Sequence, residues 1–247
     1  MKTLMIDIET YPHKAYCWGL FDQRIGLNQI VEAGRTACWA ARWVGAPKGE
    51  FFFGAEWDGT KDFVGRMWDL LDEADAVIHY NGKKFDIPTL NWEFLQMGGT
   101  PPAPYKEIDL LQTVRQKFKP ASRKLDYVAQ QLGIGQKVAH EGMKLWQGCM
   151  DGDKDCQKRM ERYNIQDVFL LEELYEKLLP WITNHPNRQL YSGERDTCPN
   201  CGGKHIQYRG YSYTNASKFR RFRCGECGTW GKSPKAVDTS NLRGGNV

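Results

Sequence analysis

Two spacing regimes divide the chain. Short apolar runs predict strands over Thr3 to Ile8, Thr36 to Val44, Glu50 to Phe53 and Ala76 to Tyr80. Apolar residues three or four apart predict helices over Lys61 to Glu73, Ile87 to Met97, Asp109 to Phe118, Arg123 to Leu132 and Lys154 to Leu179. In the last of these, Ile165, Val168, Leu171, Leu174 and Leu178 form one stripe. Three early strands followed by alternation of strand and helix predict an α/β domain. Gly133 to Asp153 follows neither period and stays unassigned. Pro180-Trp181-Ile182 ends the helical pattern, Asn184-His185-Pro186-Asn187 reads as a linker, and a second module begins near Tyr191. The expected divisions are a domain over residues 1–182, a linker over 183–190, a small β-rich module over 191–235 and a flexible tail over 236–247.

Acids interrupt this pattern in three places. Asp7 and Glu9 sit in the apolar run TLMIDIET; on a strand they project from one side while Leu4, Ile6 and Ile8 pack on the other. Held within about 7 Å of each other, two such carboxylates stay ionised only if cations neutralise them. A strand end whose acids reach solvent fits the same triplet. Asp86 follows the turn at Asn81-Gly82 and precedes a helix with Pro88 in its first turn. It therefore falls at or next to an N-cap, where capping alone explains an Asp at about 1 kcal/mol. The same place lies just past the C-terminal end of a strand, the edge where open α/β sheets hold ligands. Tyr163 and Asp167, four apart, share one helical face; a surface Asp beside a half-buried Tyr is the plainer alternative. Asp109 reads either as an auxiliary acid or as a helix start, and the start is preferred.

Taken in order, Asp7-x-Glu9, the Asn81 to Asp86 stretch ending in Phe85-Asp86-x-Pro88, and Tyr163-x-x-x-Asp167 resemble the three exonuclease motifs of the DEDD superfamily of 3′→5′ exonucleases, in its tyrosine branch. The resemblance spans residues 1–182, and Lys124 to Ala129 looks like the helix these proteins carry between the second and third motifs. No histidine precedes Asp167 at short spacing, which separates the chain from the histidine branch. The relatives it calls up are stand-alone exonucleases of phages and bacteria, related to the proofreading domains of DNA polymerases. The resemblance implies a ribonuclease H-like fold, a mixed sheet flanked by helices. It also implies catalytic roles for Asp7, Glu9, Asp86, Tyr163 and Asp167, and nucleic-acid contacts at Thr10, Asn81 and Phe85.

The implied reaction is phosphodiester hydrolysis of DNA from a 3′ end, releasing nucleoside 5′-monophosphates. Two Mg²⁺ or Mn²⁺ ions, which prefer hard oxygen ligands, would suffice with four carboxylates. On this reading Asp7 bridges both ions, Glu9 and Asp167 complete the nucleophile-side ion, and Asp86 helps hold the second. Tyr163, a phenol of ordinary pKa about 10, positions water rather than deprotonating it. An exoribonuclease stays open because nothing in the motifs reads a 2′-hydroxyl. A catalytically silent nucleic-acid-binding or recruitment protein would be marked by a missing carboxylate, and none is missing. A proofreading role would require a replication or repair protein acting in trans.

The second module carries Cys198-Pro-Asn-Cys201 and Cys224-Gly-Glu-Cys227, two CxxC pairs separated by 22 residues and each followed by glycine. Paired knuckles of this kind place four thiolates around one structural Zn²⁺, and the module resembles a zinc ribbon. Two disulfides, or a redox CxxC, are the alternatives; a reducing cytosol disfavours both. Cys17, Cys38, Cys149 and Cys156 lack such spacing and are expected to be packing residues. Charge is uneven: residues 191–247 hold ten Lys/Arg against four Asp/Glu, formally +6, whereas residues 1–190 hold 24 against 26, formally −2, giving the whole-chain +4. Arg209, Lys218, Arg220, Arg221, Arg223 and Trp230 mix bases with aromatics, as single-strand binders do; a solvated strand over a small aromatic core fits equally well. No run approaches the length of a membrane span, and acids arrive too early for MKTLMIDIET to be a signal peptide. A cytoplasmic protein, bacterial or of a phage-infected host, is expected.

Overall fold

The computed structural model describes residues 1–241 except Lys48, Lys61, Ala139 and His140. The chain divides into two compact units, Lys2–Leu174 and a second beginning at Tyr175. The first contains β1 (Thr3–Thr10), β2 (Lys14–Ala15), β3 (Ile30–Glu32), β4 (Thr36–Trp43), β5 (Phe52–Ala55), α1 (Phe63–Glu73), β6 (Ala76–His79), α2 (Asp86–Gln96), β7 (Lys106–Asp109), α3 (Leu110–Lys117), α4 (Leu125–Gln131) and α5 (Met143–Met150). The long α6 (Lys154–Leu178) ends this run of elements.

Five strands form one mixed sheet in the order β5-β4-β1-β6-β7. β4 is antiparallel to β1 and β5, and β6 is parallel to β1 and β7. β1 is therefore central, and its alternation sorts its side chains by face. Leu4, Ile6 and Ile8 pack with Val64, Met67 and Leu71 of α1 and Leu90 and Phe94 of α2. On the other face, beside Asp7 and Glu9, Cys38 packs with Leu145 and Cys149 of α5 and Met160 and Tyr163 of α6. Helices thus cover both faces, the α/β arrangement expected from the sequence.

Three departures from the expected elements have local causes. β5 starts at Phe52 rather than Glu50, because the carbonyls of Ala46, Pro47 and Glu50 accept from the guanidinium of the buried Arg42, which also donates to Glu172. β7, not foreseen, is a sheet-edge strand whose Lys106 and Glu107 stay partly exposed. α5 lies in the unassigned stretch, where Gly148 reads as a helix breaker. A Cβ there would fall 2.2 Å from Cys156 Sγ, so glycine is what lets α5 and α6 touch. The expected start of the α1 helix at Lys61 lies outside the described residues.

The second unit contains α7 (Gln189–Ser192), β8 (Ile206–Tyr213), β9 (Ser217–Cys224) and β10 (Trp230–Thr239). The three strands form an antiparallel sheet, β10-β9-β8, which is the expected β-rich module. β10 continues past Lys235 because Ala236, Asp238 and Thr239 pair with Phe219, Lys218 and Ser217, so strand occupies the first part of the expected tail. Residues 242–247 of that tail lie outside the described residues. Among the described residues no helix is long and apolar enough to cross a membrane.

Candidate active site and cysteine cluster

β1 and α6 bring three of the four motif carboxylates together. Oxygens of Asp7, Glu9 and Asp167 all lie within 4.8 Å of one another. Asp7 pairs with Ala40 and Glu9 with Cys38 across β4, so both acids have small cross-strand neighbours. Asp86 stands at the first position of α2, aimed by a tight turn in which Asn81 has φ 72° and a Cβ on Gly82 would strike the His79 ring. Its Oδ1 accepts from the Ile8 amide at 3.2 Å. That amide lies beyond the β1 residues paired with β6, which end at Met5. Asp86 is outside the close trio yet near enough to act on it.

Electrostatics record the crowding. Burial first, then Asp167, Glu9 and Asp86, push Asp7 well above the usual carboxylate range, with Lys137 pulling the other way. Burial lifts Glu9 to about 8 against Lys137, with Asp167 and Asp86 adding to the rise. Asp86 is lifted to about 6 by burial, opposed by His79 and the Ile8 amide. Asp167 is raised by burial although Lys137 opposes it, and its Oδ1 is buried without a hydrogen-bond partner. Three crowded carboxylates and an orphaned oxygen are a donor set that fits hard divalent cations.

Three further side chains organise the trio. Asn164, one α6 turn before Asp167, donates to Asp7 Oδ2 at 2.6 Å and to the Asp7 carbonyl at 3.2 Å. The Tyr163 ring meets Trp146 of α5 edge-on, with centroids 6.3 Å apart. Burial, then Asp167 and Glu9, raise the Tyr163 phenol above its ordinary value. Lys137 Nζ donates to Asp167 Oδ2 and, at 3.0 Å, to the Tyr163 hydroxyl. Burial pulls the pKa of this lysine down, but Asp167 and Asp7 outweigh it and hold the lysine charged. Neither Asn164 nor Lys137 was foreseen from sequence; the place of Asn164 one turn before Asp167 could have revealed it, whereas Lys137 sits in the patternless stretch and carried no signal. Thr10 ends β1 partly exposed, the Asn81 amide donates to Asp109, and Phe85 is exposed just before α2. Asp109 caps α3 through the Leu111 amide, the helix-start role preferred for it.

Lys137 supplies positive charge where the trio lacks it. Lys137→Met should therefore cost about 3 kcal/mol in chelator, the low end for breaking a buried pair because the lysine is partly exposed. Urea denaturation with saturating Mg²⁺ should shrink that cost; an equal cost in both conditions would mean that Lys137 acts through packing.

In the second unit Cys198, Cys201, Cys224 and Cys227 gather within 4.8 Å. Cys198 and Cys227 Sγ lie 3.6 Å apart, and Cys201 and Cys224 Sγ 3.7 Å. Neither is a disulfide, and both match the edge of about 3.8 Å that four Zn–S bonds of about 2.3 Å make in a tetrahedron. Gly202 and Gly228 close equivalent turns, each at φ 81° with its amide donating to the carbonyl of the first cysteine of its pair. The donor set fits one closed, structural zinc site. Of the remaining cysteines, Cys38, Cys149 and Cys156 are buried as expected, but Cys17 is exposed, so packing does not account for it.

Strand register divides the expected nucleic-acid contacts between two sheet faces. Lys218 and Arg220 alternate with Arg221 and Arg223 along β9. Arg223 pairs with Trp230, and the Arg221 guanidinium lies 4.9 Å from the Trp230 ring centroid. Arg209 joins this second face, hydrogen bonding Gln207, the cross-strand partner of Arg223.

Comparison with curated proteins gives no match. Among solved structures, the chain is similar to the family B DNA polymerase from the hyperthermophilic archaeon Pyrobaculum calidifontis, at 20% identity and a TM-score of 0.51. The likeness covers 72% of this chain and 24% of the polymerase chain, so it is one of fold and takes in about a quarter of that protein. The family model described as RNase_H superfamily matches residues 46–179. That span begins after β1 and takes in Asp86, Lys137, Tyr163 and Asp167, so Asp7 and Glu9 join the site through the fold rather than through the match. Covering more than half of the residues, and agreeing with a mixed sheet flanked by helices, the match places this chain in the RNase_H superfamily.

Proposed function

We propose that the chain is a divalent-metal-dependent 3′→5′ exonuclease that hydrolyses phosphodiester bonds of DNA and releases nucleoside 5′-monophosphates. The observation that carries this reading is the trio of the half-buried Asp7 and Glu9 with the buried Asp167, all within 4.8 Å, an arrangement unstable without cations. Membership of the RNase_H superfamily supports a nuclease, the fold shared with a DNA polymerase favours DNA, and the polarity rests on the resemblance of the three motifs to DEDD exonucleases. Asp7, Glu9 and Asp167, with Asp86 beside them, would hold two Mg²⁺ or Mn²⁺ ions, which when bound supply an activated water and neutralise charge building on the phosphoryl and leaving oxygens. Asn164 fixes the Asp7 carboxylate, Tyr163 orients water as a neutral phenol, and Lys137 compensates negative charge. A zinc ribbon over residues 191–235 accompanies this exonuclease domain over residues 1–182.

The test uses 5′-labelled DNA and RNA strands of matched sequence, with free or blocked 3′ ends, in Mg²⁺, Mn²⁺ or chelator. Ladder-like shortening of unblocked DNA alone, abolished by chelator, is the expected result. Faster loss of RNA would favour an exoribonuclease, and cutting of blocked strands would refute the polarity. In the same assay Tyr163→Phe should retain activity at about a tenth of the wild-type rate, the scale of one lost hydrogen bond to a positioned water. Complete loss would instead make the phenol a proton carrier.

A further inference from the structure

We propose that the β8–β9 face of the second unit is a stacking platform for single-stranded nucleic acid, with Tyr208, Tyr211 and Tyr213 each taking one base. This goes beyond the reading above, because it does not depend on the carboxylates.

Sequence spacing alone hides the platform. Residues 208 and 211 are three apart and would project from opposite faces of a regular strand. The register shifts between them, however: Tyr208 pairs with Phe222, Tyr211 with Arg220 and Tyr213 with Lys218. Two residues, Arg209 and Gly210, are thereby accommodated opposite Arg221 alone, with Gly210 at φ 69°. Since Phe222, Arg220 and Lys218 alternate regularly on β9, the three tyrosines share one face and follow its repeat of about 7 Å.

All three rings are exposed, Tyr213 most of all at 68%. Each carries a cation on one side. The Arg220 guanidinium lies 3.8 Å from the Tyr208 centroid, and Lys218 Nζ lies 4.1 Å from that of Tyr211 and 6.0 Å from that of Tyr213. The result is a zigzag of tyrosine and base along a strand pair, in a module of formal charge +6. A cation over one ring face fixes the ring and leaves the other face for a base, while the ammonium or guanidinium reaches a phosphate. The repeat selects the ligand form. Successive bases of a duplex strand lie about 3.4 Å apart, too close for platforms spaced at twice that distance, whereas a single strand can open its bases to match.

The experiment measures binding of the full chain to a fluorescent oligothymidylate, to an abasic strand of equal length and charge, and to a duplex, all without Mg²⁺ or Mn²⁺, so that nothing is hydrolysed, and without chelator, so that zinc stays on the four cysteines. The wild type is expected to prefer oligothymidylate over both other ligands. Tyr211→Ala with Tyr213→Ala should weaken oligothymidylate binding about a hundredfold, roughly tenfold per base lost, and leave abasic binding within about twofold. Lys218→Ala with Arg220→Ala should flatten the slope of log affinity against log salt by about one to two units. Equal affinity for abasic and normal strands, a preference for duplex, or a Trp230→Ala loss exceeding that of the tyrosine pair would overturn the proposal. Hydrolysis is scored separately with Mg²⁺ added: a wild type that binds oligothymidylate through the tyrosines yet shortens no strand would sink the exonuclease reading and leave the platform standing.

Discussion

Asp7→Asn should abolish hydrolysis, by a factor of a thousand or more on the scale of removing a central electrostatic group from an active site, while making the metal-free protein more stable. The two effects come from one property. Asp7 is half-buried, it faces Glu9, Asp167 and Asp86, and its pKa stands well above the usual carboxylate value. Its unfolded pKa is about 3.9. Between these values the native state binds a proton that the unfolded chain has lost, so stability falls as pH rises. Glu9 behaves alike up to its folded pKa of about 8. In chelator the wild type should therefore lose stability steadily from about pH 4 towards pH 8, whereas Asp7→Asn should lose less, and the gap should close as Mg²⁺ is added. Asparagine keeps an oxygen to accept from Asn164, now 2.6 Å from Asp7 Oδ2, so the fold survives the change. Denaturant melts at pH 5 and pH 8 with and without Mg²⁺ provide the check. An inactive variant that is less stable than the wild type in chelator at pH 8 would mean that the carboxylate holds the fold together, not a metal.

How much of this was legible depended on whether the signal was local. The strand around Asp7 and the long helix around Asp167 were readable because both bury a regular stripe, and a period survives any tertiary context. Asp86 was readable as a residue at a helix start, but its bond to the Ile8 amide was not, since it arises from β6 ceasing to pair with β1 at Met5. α5 was missed because Gly133 to Asp153 follows neither period, and the contact that calls for Gly148 is made with Cys156 on another helix. Lys137 was lost for a related reason: a lysine between elements is ordinarily a solvated one, and only the fold puts it against Asp167. In the second unit composition revealed the basic aromatic mixture, but placing Tyr208 on the face of Tyr211 and Tyr213 required the bulge at Arg209-Gly210, which no period announces.

Loss of zinc should unfold the strands of the second unit, and burial explains why. Beyond Tyr191 the hydrophobic side chains that are buried, among the described residues, are Cys198 and Cys224. The other buried residues there, Thr197, Asn200, Gly203 and Thr229, are polar or small and surround the knuckles. β8 and β10 bury nothing fully, and β9 buries only Cys224. A three-stranded sheet with so little apolar burial cannot offset the entropy of ordering its residues, whereas a structural zinc contributes about 10–16 kcal/mol of apparent binding energy. Mass spectrometry should find one equivalent of zinc in the wild type and none in Cys224→Ser, which removes one of the four thiolates. Hydrogen exchange in Ile206–Tyr213 and Ser217–Cys224 should then rise to the rate of an unfolded chain, and trypsin should cut at Arg220, Arg221 and Arg223. Amides of β1 and β4, held within the five-stranded sheet by apolar packing on both faces, should keep their protection. Retained protection in β9 without zinc would show that the cation–aromatic zigzag, not the metal, holds the module.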